Sequence, residues 1–323
     1  MSAKKRLKAR LKTAISLANE GQFTEAQQLL ANLKNDPDID VLGHKTALGL
    51  PRQLHSAQLK LEKAKKNAVS SLGYQYNLVP PPALLSDYSK VATAERIAIS
   101  SANREPVPRT IHQIWVGPDK APLGTDAWRA HANEQGYAYC LWREEDLDSL
   151  GITDLQAYKH MLAKGDYPGA VDVARYVILK QQGGIYLDCD WYPTRNDISF
   201  HDLLPMLGLS AMAEPIPRNT GKGGLLLANS MIAAPRGHPV FTRLLASIEE
   251  VIDLLPDEPA WWTTGPLIFT LISRSGSLTL ADADIVAGTL PQSTSLPAVK
   301  TWCKQAKNND EGLLLAWKSW IWR

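Results

Sequence analysis

Residues 166–195, DYPGAVDVARYVILKQQGGIYLDCDWYPTR, constrain this chain more than any other stretch. Ala170, Val171, Val173, Ala174, Val177, Ile178 and Leu179 make a helix that is apolar nearly all round, the pattern of a buried helix. Asp172 and Arg175, three apart, share one face of it. On a solvated face such a pair is an ordinary salt bridge. Inside a core it demands a specific partner. Pro168 near the first turn and Gly183-Gly184 past the end supply the start and stop. A strand, 185–192, then leaves the core carrying Asp188 and Asp190. Extended geometry places both carboxylates on one side. They repel unless a cation joins them. Mg²⁺ or Mn²⁺ typically takes one or two carboxylates and then phosphate oxygens. The predicted chemistry is therefore phosphate-bearing, although an Asp-x-Asp alone is also common in turns. A guanidinium suits phosphate or hydroxyl groups, and a carboxylate suits sugar hydroxyls.

The rest of the chain narrows the class. A length of 323 residues suggests roughly two domains. A hydrophobic fraction of 45% with 21% charged residues excludes global disorder. The net charge of +2 argues against a nucleic-acid or other bulk polyanion binder. Cys140, Cys189 and Cys303 have no zinc spacing and predict no disulfide framework, so a reducing, cytoplasmic setting is expected. No apolar run is long enough to span a bilayer, and the basic N-terminus lacks the apolar core of a signal peptide. GKGG at 221–224 is not a Walker loop, because Gly follows Lys where Ser or Thr should stand; it reads as a mobile loop.

The organisation is helical first and α/β afterwards. Leu7, Leu11 and Ile15 form one stripe, and Ala26, Leu29, Leu30 and Leu33 a second, with Gly21 between them. This helix–turn–helix is like half of a tetratricopeptide array, without a second copy. Residues 1–75 are assigned to a helical N-terminal region, 76–106 to a linker and helix containing Pro80, Pro81 and Pro82, and 107–323 to an α/β domain. Strands are expected at 110–117, 136–142, 185–192, 207–214 and 223–234, and helices at 153–164, 169–182 and 238–255. Their alternation implies a mostly parallel sheet with ligands at the strand carboxyl ends. Residues 4–12 hold six basic side chains and no acid. Two readings stay open for them: a solvated helix face, or attachment to an anionic membrane surface, peripheral at the inner face. His112 reads as a satisfied core histidine, and Thr264 as the cap of a helix starting at Pro266.

The string VDVARYVILKQQGGIYLDCD resembles the signature of the DXD-type sugar transferases of glycosyltransferase family 32. That family includes mannosyl-, galactosyl- and capsule or lipopolysaccharide transferases. The core is also similar to the glucosyltransferase domain of large clostridial toxins. TIHQIWVG, YCLW, LLLANSMIAAPRGHP, TTGP and KSW follow in family order, so the resemblance covers residues 109–323. It implies a GT-A-like mixed, mostly parallel sheet flanked by helices, preceded by the all-helical segment. It also implies a Mn²⁺- or Mg²⁺-dependent, retaining hexosyl transfer from a nucleotide sugar, with a UDP-sugar favoured over a GDP-sugar. The acceptor would be a glycan or a lipid-linked sugar in surface polysaccharide synthesis. A toxin-like protein acceptor, or a non-catalytic sugar-nucleotide-binding module, are the alternatives.

Carried over by residue, the resemblance implies that Trp115 stacks on the base. Asp172 and Arg175 would hold ribose and donor sugar, Asp188 would contact the sugar nucleotide, and Asp190 would bind the metal alongside Asp188. Asn229 would lie near the donor sugar, and Ser319 with Trp320 would close over the diphosphate. The family commonly carries histidines before the final Ser-Trp. This chain has none there, and Lys318 could neutralise phosphate instead.

Overall fold

A computed structural model describes residues 2–213 and 225–318. Three helices open the chain: α1 (Ala3–Asn19), α2 (Phe23–Lys34) and α3 (Arg52–Ala64). Their stripes meet in a core of their own, with Leu7, Leu11, Leu30, Leu33 and Leu54 all buried. The bundle is fastened to the rest by charge. Glu258 accepts from the Arg52 guanidinium and from the His44 backbone N–H, and Lys4 pairs with Asp257. Residues 76–106 do not hang as a spacer. Pro82 starts a short helix, Thr93–Ala102 forms another, and Leu85 and Ile99 are buried in the main core.

Among the described residues nine strands follow: β1 (Thr110–Ile114), β2 (Ala138–Trp142), β3 (Gly184–Leu187), β4 (Trp191–Pro193), β5 (Ser210–Ala213), β6 (Leu227–Ala234), β7 (Thr279–Leu280), β8 (Val286–Thr289) and β9 (Leu314–Ala316). Six form one sheet in the order β2-β1-β3-β6-β5-β7. The pairings β1–β2, β1–β3 and β5–β7 are parallel, and β3–β6 and β5–β6 antiparallel. The sheet is thus mixed and mostly parallel, flanked by helices, as expected. Side chains of β3 and β6 alternate between two cores. Tyr186 and Ile232 join Tyr176, Phe241 and Phe269 on one face, while Ile185, Leu187 and Met231 join Trp128 and Phe200 on the other. A strand buried on both faces reads as a continuous apolar run, which is why GIYL shows no polar alternation.

One expectation is overturned here. Residues 185–192 are not a single strand. β3 ends at Leu187, Asp188–Asp190 turn, and β4 belongs to a separate three-stranded sheet, β4-β9-β8. The Trp191 N–H donates to the Asp188 carbonyl across that turn. The two carboxylates therefore come together through a turn between two sheets, not through the pleat of one strand.

The Gly-Gly corner that delivers β3 is sterically specified. Gly183 has φ +66° and Gly184 φ +97°, conformations that favour glycine. A Cβ on Gly184 would lie 2.7 Å from the Thr110 carbonyl oxygen and 2.9 Å from His112 Nε2. His112 is buried and saturated: Nε2 meets the Gly183 carbonyl at 2.9 Å, and Nδ1 accepts from the Trp142 indole at 3.1 Å. Gly184→Ala should cost about 2–4 kcal/mol and lower Tm by roughly 5–10 °C. A thermal melt within about 2 °C of the parent would contradict this account of the corner.

Candidate active site

The carboxyl ends of the parallel strands β2, β1 and β3 carry Trp142, Ile114 and Leu187, and the site is built just beyond them. Its centre is Arg175, on the Tyr167–Gln182 helix and only 4% exposed. Asp172 Oδ1 pairs with it at 3.1 Å and Asp188 Oδ1 also at 3.1 Å. The Asn229 carbonyl accepts from it at 2.5 Å, and its guanidinium lies 4.4 Å from the centre of the Tyr186 ring. The neighbouring carboxylates hold the guanidinium more firmly charged than usual, against the effect of its burial.

Asp172 is saturated. Oδ1 also accepts from Asn229 Nδ2 at 2.7 Å, and Oδ2 accepts from the Thr264 hydroxyl at 2.8 Å. Asn229 donates in addition to Tyr176 Oη, whose hydroxyl donates to the Thr264 carbonyl. Burial pushes the Asp172 carboxyl up, to about 6, against the pull of Arg175 and Thr264. Thr264 thus serves the aspartate, while Gly265 is the cap residue of the Pro266–Ser273 helix. The sequence reading had Thr264 as that cap. Its hydroxyl goes to Asp172 because the short helix Ala260–Thr263 ends there and turns Thr264 inward.

Asp188 and Asp190 differ. The Asp188 N–H donates to the Ser230 carbonyl, tying the turn to β6, and the Tyr186 hydroxyl donates to Asp188 Oδ1 at 2.7 Å. Asp190 is held through its carbonyl, which accepts from the Trp317 N–H at 2.7 Å, an extension of the β4–β9 pairing. That pairing brings Lys318 Nζ to 3.8 Å from Asp190 Oδ2. Asp190 Oδ1 is buried with no hydrogen-bond partner among the described residues. Burial, and then Asp188, push the Asp190 carboxyl up, with Lys318 pulling the other way.

Trp115, Arg175, Asp188, Asp190 and Lys318 line one cavity of about 630 Å³, together with Tyr186. The Trp115 indole donates to the Asp119 carbonyl, which fixes the ring at the end of β1. Asp172 and Asn229 are not on the cavity wall. They stand behind Arg175 and hold it. Ser319 and Trp320 lie outside the described residues, as does the GKGG stretch at 221–224. Two contributors were not singled out in the sequence. Tyr186 lies in β3, two residues before Asp188 and bonded to it, and Tyr176 one helical turn after Asp172; their closeness in sequence to the two aspartates is the signal that could have found them.

The residues present fit a divalent cation in one respect. An orphaned buried oxygen on Asp190, next to a second carboxylate, is the arrangement a cation relieves. No group of three or more His, Cys, Asp or Glu placed to hold a metal ion occurs among the described residues. Phosphate and water would have to complete the coordination.

Residues 118–205 match the family described as "Glycosyltransferase sugar-binding region containing DXD motif". The matched segment is a DXD-type region of the family-32 kind. It contains Asp172, Arg175, Asp188 and Asp190. Over 194 residues the chain is 28% identical to inositol phosphoceramide mannosyltransferase 3 of Schizosaccharomyces pombe, covering 58% of this chain and 50% of that protein. Mannosyl phosphorylinositol ceramide synthase CSH1 of Saccharomyces cerevisiae is 27% identical over 139 residues, covering 42% and 34%. The chain therefore spans about half, or less, of the length of these relatives. Among solved structures, PaToxG Glycosyltransferase overlays with a TM-score of 0.43 at 15% identity, covering 71% of this chain and 83% of that one.

The electrostatics of the DXD-type region yield a stability prediction. Asp190 has an ordinary value of 3.8 and a folded value of about 7. A carboxyl raised on folding binds its proton more tightly in the native state. Its contribution to stability therefore falls as pH rises from about 4 to about 7 and stays level above. With divalent cations chelated, Asp190→Asn should melt about 2–5 °C above the parent at pH 8 and converge with it near pH 4. A parent that melts higher at pH 8 would show that Asp190 is not destabilised by its setting.

Proposed function

We propose that this chain is a retaining hexosyltransferase, moving a hexose from a nucleotide-diphosphate sugar to a hydroxyl of a glycan or lipid-linked acceptor. One observation carries the reading: an aromatic platform, two cationic side chains and the Asp188–Asp190 pair line a single cavity of a size suited to such a donor. Trp115 offers a stacking face for the base. Arg175 is fixed by Asp172, the Asn229 carbonyl and Asp188, and so presents a charge that does not reorganise when the diphosphate leaves. Lys318 is half exposed and free to turn from Asp190 to phosphate. Asp188 and Asp190 would hold Mn²⁺ or Mg²⁺, which supplies Lewis-acid stabilisation of the departing diphosphate.

Among the described lining residues the other carboxylate is Asp119, on the loop that seats Trp115 at the base end. No side chain is thereby offered as a nucleophile. Attack from the face of the leaving phosphate, with that phosphate taking the acceptor proton, accounts for retention. The relatives named as mannosyltransferases make mannose the first sugar to test, beside glucose and galactose.

UDP-glucose, UDP-galactose and GDP-mannose are the donors to compare, each with and without Mn²⁺. A cation-dependent rise in Tm and slow donor hydrolysis are expected with at least one. Asp188→Asn should lower kcat for that donor by about 10²-fold or more. Its effect on Tm should be small, because Arg175 keeps Asp172. Parental turnover in Asp188→Asn, or no response to any donor, would defeat the reading.

The setting we propose is cytoplasmic, peripheral to an anionic membrane. Arg6 and Arg10 are engaged by Asp36, and Lys4 by Asp257, while Lys5, Lys8 and Lys12 stay exposed. Replacing those three lysines by Glu should remove co-sedimentation with phosphatidylserine vesicles at about 0.1 M salt. Equal co-sedimentation of parent and variant would leave the stripe as a solvated face.

A further inference from the structure

The backbone ladder between β1 and β3 stops short of the candidate site. Ile111 pairs with Ile185, and His112–Tyr186 is the last pair in register. Past it, side chains carry the contact on. The Gln113 amide Nε2 donates to the Asp188 carbonyl at 3.2 Å, and the Cys189 thiol donates to the Ile114 carbonyl at 3.3 Å. Each chain thus receives one bond from a side chain of the other. With the Asp188 N–H on the Ser230 carbonyl, these bonds hold the Asp188–Asp190 turn to the main sheet.

Gln113 is fully buried, on the sheet face that Ile111 shares with Ile185 and Leu187. An apolar side chain would meet the packing there, and a buried amide needs partners at both ends. Its Oε1 accepts from the Tyr139 hydroxyl at 2.8 Å. Tyr139 lies diagonally across on β2, in register with Ile111, and the Arg129 guanidinium sits 5.4 Å from its ring centre. The hydroxyl fixes which way round the amide lies: with Oε1 taken, Nε2 faces Asp188. Three consecutive residues at the end of β1 therefore reach the site: Gln113 through Asp188, Ile114 through Cys189, and Trp115 as the aromatic wall of the cavity. The acidic turn and the aromatic wall are referenced to one strand end.

We propose that Gln113, oriented by Tyr139, is a positioning residue that holds the Asp188–Asp190 turn at a set span from Trp115. This rests on the transferase reading, in which a donor stacked on Trp115 meets the carboxylates only where that span suits its diphosphate. Gln113 acts through the Asp188 backbone and is itself off the cavity wall.

Cys189, in the middle of the turn, is buried and reports on the turn's order, while Cys303, buried in the Leu296–Asn308 helix, reports on global opening. Alkylation by iodoacetamide, read at each cysteine by mass spectrometry, needs neither donor nor metal. In Gln113→Leu, Cys189 should react roughly tenfold faster than in the parent, and Cys303 at the parental rate. Tyr139→Phe alone should act in the same direction, by about threefold. Gln113→Leu leaves the Tyr139 hydroxyl without its acceptor and lowers Tm. Gln113→Leu combined with Tyr139→Phe removes both polar groups, so its Tm should return to within about 2 °C of the parent. A purely structural role would restore the rest with it. Positioning requires that Cys189 stay labile in the double variant, and that kcat for any donor the parent hydrolyses stay roughly tenfold or more below the parental value. Parental labelling of Cys189 in Gln113→Leu, equal acceleration of Cys303, or parental turnover in the double variant overturns the proposal. The two readings fail separately: no hydrolysis of any donor by the parent removes the transferase reading, and the labelling still decides whether Gln113 holds the turn.

Discussion

The buried guanidinium of Arg175 is the point on which the arrangement turns. A cation in a low-dielectric interior is tolerable only with close counter-charges, and here two carboxylates and a backbone carbonyl supply them. Such a pairing adds little net stability compared with apolar packing. What it secures is placement. With Asp172 saturated by Asn229, Thr264 and Arg175, the guanidinium has one geometry, and its remaining capacity faces the cavity. The local charge balance is left incomplete. Asp172 and Asp188 already outnumber Arg175, and Asp190 adds a third carboxylate with an unpartnered oxygen. The Lys318 ammonium offsets part of this excess of negative charge.

The sheet topology explains how three elements remote in sequence meet there. β3 runs parallel to β1 but antiparallel to β6, and the chain leaves the sheet at the end of β3. The turn at Asp188 is tied to β6 through the Ser230 carbonyl, whereas Asp190 is tied to the segment after β9 through Trp317. The two carboxylates are therefore referenced to different sheets. Small shifts of the β4-β9-β8 sheet against the main one would alter the Asp188–Asp190 spacing directly. Lys318, directly after Trp317, is tied to Asp190 and not to Asp188.

Much of this was legible in the sequence, for identifiable reasons. An all-round apolar helix, a Gly-Gly corner and an Asp-x-Asp are local features, and each implies its own structure: burial, positive φ and a charged turn. They also resemble a family motif specific enough to name. The break between β3 and β4 was not legible, because IYLDCDWY is uniformly suited to a strand; only the pairing of Trp191–Pro193 with Leu314–Ala316, some 120 residues away, pulls it out of the main sheet. Thr264 shows the same limit. A Thr before Gly-Pro has a local role as a cap, and the stronger demand of the buried Asp172 overrides it. The family resemblance alone implies that Asp172 and Asn229 lie near the donor. In the structure Asp172 pairs with Arg175 and accepts from Thr264 and Asn229, and the Asn229 amide donates to Asp172 and Tyr176.

The same logic separates what the site shares from what is its own. Asn229 and Thr264 complete the arginine's support, and three residues earlier Leu226 and Trp261 line a second cavity, of about 480 Å³. Side chains packed this tightly have few alternative arrangements, so a displacement at one side is passed on instead of absorbed. The N-terminal part, fastened by Glu258 just before Pro259 and the Ala260–Thr263 helix, supplies the other wall of that cavity. It is thereby packed against the elements that carry Asn229 and Thr264.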